Sequence, residues 1–204
     1  MAEKLLVARE QLVVALDLFI ADVAPMAVHS LAGNAWEILE RQCRSKGLEP
    51  FFEHIQATNP GQTPQELRRI VYRYHRTFKH ADPKATKEDE ENLREFSDEH
   101  NDYMLSIASH DYLTAADKLT VELQVFQMWF YAAHPGALTD TAQQDAVFEN
   151  WFPDLLNFPR SERKIRLREV ITKVSSMEEI IADPRTDSRD DLPVLTARRT
   201  LEKL

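Results

Sequence analysis

The chain holds one cysteine, Cys43, among 204 residues. That excludes a disulfide scaffold and any cysteine-rich zinc module. Four glycines are too few for a hairpin-rich β fold, and no glycine-rich loop is present to cradle a phosphate. No serine stands in a Gly-x-Ser-x-Gly context. Long apolar runs are missing as well. The most apolar early stretch, Leu12 to Ala21, is interrupted by Asp17 and is too short to span a bilayer. Glu3, Arg9 and Glu10 stand where a secretory signal needs its apolar core. One cysteine and no signal point to a reducing cytoplasm. No histidine has a glutamate three residues before it, and no two histidines are four apart. Helix-borne dinuclear carboxylate and zincin arrangements are therefore excluded, and neither metal nor cofactor is expected.

What is there is the composition of a globular protein. Hydrophobic residues make up 43% and charged residues 29%, which excludes wholesale disorder. Acids outnumber bases 34 to 25, which disfavours a broad nucleic-acid or anionic-membrane surface. The imbalance is uneven. Residues 1–80 carry 10 bases and 9 acids, whereas residues 81–122 carry 4 and 12. Within 63–80, Arg68, Arg69, Arg73, Arg76 and Lys79 face Glu66 alone.

Apolar spacing is helical nearly everywhere, and strand signals are absent, so the expected fold is all-α: an antiparallel bundle of about seven or eight helices. A first helix is expected from Glu3 to Ala21. A second starts at Pro25 and ends before Gly47, with Val28, Leu31, Ala32, Ala35 and Leu39 on its apolar face. Pro50 to Ala57 reads as a short helical piece, and Asn59-Pro60-Gly61 as a break. A capping box at Thr63 and Glu66, with Pro64 in the first turn, opens a helix running to His80. Further helices are expected at Glu88–His110, Ala115–His134, Thr141–Phe152 and Ser161–Ile181. The Ala115–His134 helix is apolar on nearly all sides and should be the central one, with Trp129 buried. Residues 1–182 read as one helical domain, and residues 183–204 as a charged linker and tail.

The stretch RRIVYRYHRTFKHAD, Arg68 to Asp82, carries the chemistry. At about 100° per residue, Leu67, Val71, Tyr74 and Phe78 share one face, and Arg69, Arg73, Arg76 and His80 lie together roughly opposite. Arginine holds phosphate oxygens bidentately, and a histidine transfers protons near neutral pH. The plainer reading is a solvated polar face. Here the sequence resembles the HEPN superfamily (higher eukaryotes and prokaryotes nucleotide-binding), whose signature is an Arg followed by four to six residues and a His near the end of a core helix. Arg73-x6-His80 and the FKHAD segment carry the resemblance, which covers roughly residues 5–135. His75 and Arg76 stand where the commoner form has Arg-Asn. The resemblance implies an all-helical, dimeric, metal-independent ribonuclease or an RNA- or nucleotide-binding relative. Arg73 and His80 would be catalytic, Arg69 and Arg76 would bind, and Asn34 or Glu37 would be the polar residue of the preceding helix. The alternative is a non-catalytic bundle acting as a protein-interaction or regulatory module.

Other features have plainer readings. Gly33 in a helix interior costs about 1 kcal/mol relative to Ala and signals close helix approach, or a pocket roofed by Trp36 beside His29. His100, on a stripe with Leu93, Phe96, Tyr103 and Ile107, reads as a buried neutral histidine or an inter-helix polar site. Glu91, Glu95, Asp98, Glu99 and Asp102 form an acidic face that is solvated or meets a cationic partner. In the expected homodimer such acids from the partner would neutralise the paired basic helices. On the last helix, Ile165, Leu167, Val170, Ile171 and Val174 should pack, leaving a basic rim.

Overall fold

The structure is a computed structural model, and it describes residues 2–79, 87–137 and 148–187. It is all-α. Its helices are α1 (Ala2–Ile20), α2 (Pro25–Ser45), α3 (Phe51–Thr58), α4 (Pro64–Val71), α5 (Arg73–Lys79), α6 (Lys87–Glu95), α7 (His100–Ala116), α8 (Val121–Ala133), α9 (Arg160–Val174) and α10 (Glu178–Ile181). Residues 148–151 are also helical. Most of the expected connection at 81–87 and most of the expected Thr141–Phe152 helix lie outside the described residues, as do His80 and residues 188–204.

The chain divides into two compact units. The first comprises the chain to Phe19 and Val23–Ala116; the second comprises Ile20–Asp22 and the chain from Asp117 onward.

In the first unit α2 and α7 form the main pair. Val28, Ala32, Ala35, Trp36, Leu39 and Cys43 on α2 are buried, as are Met104, Leu105, Ala108, Tyr112 and Ala115 on α7. His29 meets Asn101, Trp36 meets Asp111, and Lys46 meets the Ala115 carbonyl. Positions rise together along both helices, so α7 runs beside α2 in the same direction, the return made through α3 to α6. Contacts of α4 and α5 with α2 run the other way: Arg68 and Tyr72 reach Glu40, while Lys79 reaches Glu37. These two helices are therefore antiparallel to α2, whereas the α2–α7 pair departs from the expected antiparallel arrangement because α3 to α6 make the return.

Local capping chemistry corrects the expected boundaries. The helix expected over Glu88–His110 breaks at residues 96–99. Asp98 accepts from the Asn101 side chain at 3.0 Å, and His100 Nδ1 accepts from the Ser97 N–H at 3.1 Å. The first amides of α7 donate to the carbonyls of this break: His100 to Ser97, Asn101 to Asp98 and Asp102 to Glu99, at 3.0–3.2 Å. α7 then continues past His110 to Ala116, and Thr120 caps α8 by accepting from the Leu123 N–H. Leu93 and Tyr103 are exposed and His100 is half-buried, so the expected apolar stripe does not form.

In the second unit α8 is the buried element. Trp129 is 0% exposed, and its Nε1–H donates to the Arg163 carbonyl of α9 at 3.0 Å. α9 ends at Val174, short of the expected Ile181. It faces inward differently from the expectation: Lys164 is 1% exposed while Ile165 is 41% exposed. The buried Lys164 ammonium meets Asp22 at 2.7 Å, and Arg168 donates to the Ile20 carbonyl. The start of the expected linker is held in place. Arg185 and Asp187 exchange backbone bonds with Leu119, and Gln124 donates to Thr186.

Candidate functional site

The helix expected from Thr63 to His80 is opened by its capping box but is interrupted at Tyr72, where ψ is 7°. The Tyr72 ring stacks on Trp36 with centroids 4.5 Å apart, and its hydroxyl donates to Glu40. Trp36 in turn donates to Asp111, whose other oxygen accepts the Phe51 N–H at 2.6 Å. Asp111 is fully buried and so caps α3 from another helix. Trp36 is fully buried too, and lines neither of the two clefts beside the basic segment. Burial pushes the Tyr72 phenol well above its ordinary range, and Glu40 adds to this.

Arg69, Arg73 and Arg76 do lie together, as the helical spacing predicts, and line one cleft of about 940 Å³. They do not form a bare cationic stripe. Arg69 pairs with Glu88 at 2.7 Å, and Arg73 is held by Asn92 and, at 2.6 Å, by Glu95. Asn92 is buried and donates to Thr77, which fixes its carbonyl toward Arg73. The acids that neutralise the basic helix thus come from α6 of the same chain. The cleft wall carries Glu66, Glu88, Asp89 and Glu91 against the three arginines.

Glu37, on α2, reaches the basic segment. It accepts from Lys79 at 2.9 Å and meets His75 Nε2 at 3.3 Å. Burial works to raise its carboxyl, but the Lys79 bond and charge and the neighbouring His75 outweigh it, so it sits below the ordinary carboxylate value. Asn34 is half-buried one turn earlier. Gly33 explains how His75 fits: a Cβ there would stand 2.3 Å from His75 Nδ1 and 2.7 Å from Cγ. The close approach is to a fully buried imidazole on α5, and only a hydrogen leaves room for it.

His29 is buried among aromatic edges, 5.3 Å from Phe96, 5.8 Å from Phe78 and 6.0 Å from Tyr74. Its Nδ1 meets Asn101 at 3.1 Å. Burial pulls its imidazole down to about 4, against the opposing Asn101 bond. Cys43 is no nucleophile: burial, helped by Asp111, pushes its thiol up to about 11.

A second cleft, of about 320 Å³, opens on the other side of α5, and Arg76 is common to both. Here Glu40 receives both Arg68 and Arg44, and Arg44 also reaches Glu53 at 2.7 Å. Arg68 lies over the Phe52 ring at 4.0 Å. Burial tends to raise the Glu40 carboxyl, but the two arginines hold it below its ordinary value. Arg41 and Arg76 are exposed and have no ion-pair partner among the described residues. Sequence reasoning placed Arg68 in the basic segment without a site role, and gave none to Arg41 and Arg44. The signal was present: Glu37, Glu40, Arg41 and Arg44 recur at helical spacing on the face of α2 toward α4.

Among the described residues no group of three or more His, Cys, Asp or Glu is placed to hold a metal ion, and no helix is long and apolar enough to cross a membrane. No family model, no curated protein and no solved structure matches the chain.

Proposed function

We propose that the chain is a HEPN-like RNA- or nucleotide-binding protein with metal-independent ribonuclease chemistry, working as a homodimer. The observation that carries this reading is Glu37, the candidate polar residue of the preceding helix, in contact with His75 and Lys79 of the basic segment. In the proposed reaction the RNA 2′-hydroxyl loses a proton as it attacks phosphorus, and the leaving 5′-oxygen gains one. His80 exchanges these protons, and Arg73 with Arg76 stabilises the charge that develops on phosphorus. Arg73 must first exchange Glu95 for the phosphate, while Asn92 keeps the guanidinium oriented.

One observation favours the second reading, a non-catalytic interaction module. Arg69 and Arg73 are both engaged by side chains of α6, which is what a structural role for the basic face would look like. RNA cleavage with and without EDTA, in wild type, His80→Ala and Arg73→Ala, separates the two. EDTA-resistant cleavage lost in both variants supports the nuclease. Cleavage that needs a metal, or that survives both substitutions, removes it. An Arg73→Ala protein with a lowered melting temperature and no cleavage to lose favours the module.

A further inference from the structure

We infer that the smaller cleft is an anion site in which Arg41 of α2 and Arg76 of α5 hold one phosphate group of an RNA strand. This deepens the proposed reading by locating the backbone contact, and rests on it for the polymer; the phosphate chemistry itself needs neither Arg73 nor His80.

Charge distinguishes the two clefts. Four guanidinium groups line this cleft against the two carboxylates Glu37 and Glu40. The larger cleft has three against four. Of the two, only the smaller one offers an anion a net attractive wall. Availability comes next. Arg44 and Arg68 are committed to Glu40, which is itself largely buried. A bidentate carboxylate and the Phe52 ring fix Arg68 in place, so its charge is preset rather than mobile. Arg41 and Arg76 are left exposed with no ion-pair partner among the described residues. They reach the cleft from two different helices, the arrangement that lets two planar forks grip separate oxygens of one phosphate. The volume, about 320 Å³, admits a phosphate with its sugar.

Fluorescence anisotropy with a labelled single-stranded oligoribonucleotide, and calorimetry with AMP and with inorganic phosphate, test the site on the full chain. Arg41→Gln and Arg76→Gln should each weaken oligonucleotide binding about tenfold. Each should also reduce the salt slope by about 0.7, the loss of one phosphate contact on a single strand. Arg94→Gln, which removes one exposed charge from α6, is the charge-matched control and should change neither. If wild type binds AMP or phosphate but not the oligonucleotide, and both cleft variants lose that binding, the anion site stands and the RNA reading falls. Oligonucleotide binding that Arg94→Gln weakens as much as the cleft variants, or binding that neither cleft variant changes, overturns the site. So does wild type that takes up none of the three probes at millimolar concentration.

Discussion

At Gly33 two effects of one methyl group oppose each other. Helix propensity favours alanine over glycine by about 1 kcal/mol in a helix interior. The added Cβ would lie 2.3 Å from a ring atom of His75, a residue 0% exposed and so without space to retreat. Overpacking of that kind costs about 1–3 kcal/mol and decides the sign. Gly33→Ala should lower the stability measured by urea unfolding by up to about 2 kcal/mol, and combining it with His75→Ala should recover part of the loss. A more stable single variant would show that the ring moves aside. His29 makes a second test. Its imidazole is held at about 4 by burial, with His75 and His100 adding and Asn101 opposing, against the ordinary 6.5. Between those values the unfolded chain binds more protons than the folded one. Stability is therefore full above about pH 6.5, falls as the pH drops and levels off below about 4, a loss of about 3 kcal/mol from this group. Unfolding midpoints across that range should fall less steeply in His29→Gln than in wild type; parallel curves would place His29 in water.

Among the elements, α6 governs how much of the basic segment is available. Glu88 and Glu95 engage Arg69 and Arg73. Neutralising both acids in Glu88→Gln/Glu95→Gln should raise RNA affinity several-fold and steepen its salt slope by about 1.4. An unchanged slope would mean that the released arginines do not reach phosphate. α8 gives a stability test: Trp129→Ala should cost about 3–5 kcal/mol by the cavity argument, and a loss under 1 kcal/mol would place the residue outside a core. Helix starts were legible where a capping box or a first-turn proline preceded an apolar run, as at Thr63 and Pro25. The breaks at Tyr72 and at 96–99 were not, because periodicity continues across them. Each interruption accompanies hydrogen bonds local to a few side chains, Tyr72 on Glu40 and Ser97-Asp98 beneath His100-Asn101. The site was half legible for the same reason. Spacing predicted that Arg69, Arg73 and Arg76 share a face, but spacing within one helix carries no information about the acids that another helix brings. Nor could it show that Ile165 would face outward while Lys164 found a carboxylate 142 positions away.

For the whole molecule, the proposed assembly is a homodimer. A two-fold contact uses each surface twice, and with Arg69 and Arg73 already paired within the chain, little repulsion is left to oppose it. Light scattering across a concentration series should give twice 23.6 kDa; a monomer at tens of micromolar would remove the composite nuclease site. The chain's own covalent order adds a separate constraint. Residues 20–22 belong to the second unit although the chain on either side of them belongs to the first. Lys164 is almost fully buried, and the carboxylate it touches is in that three-residue segment. A protease cut or a genetic split at 116/117 therefore does not yield two self-sufficient pieces. The carboxy-terminal piece would lack the carboxylate that Lys164 meets at 2.7 Å, and would regain it by recapturing the amino-terminal piece as a complementing fragment.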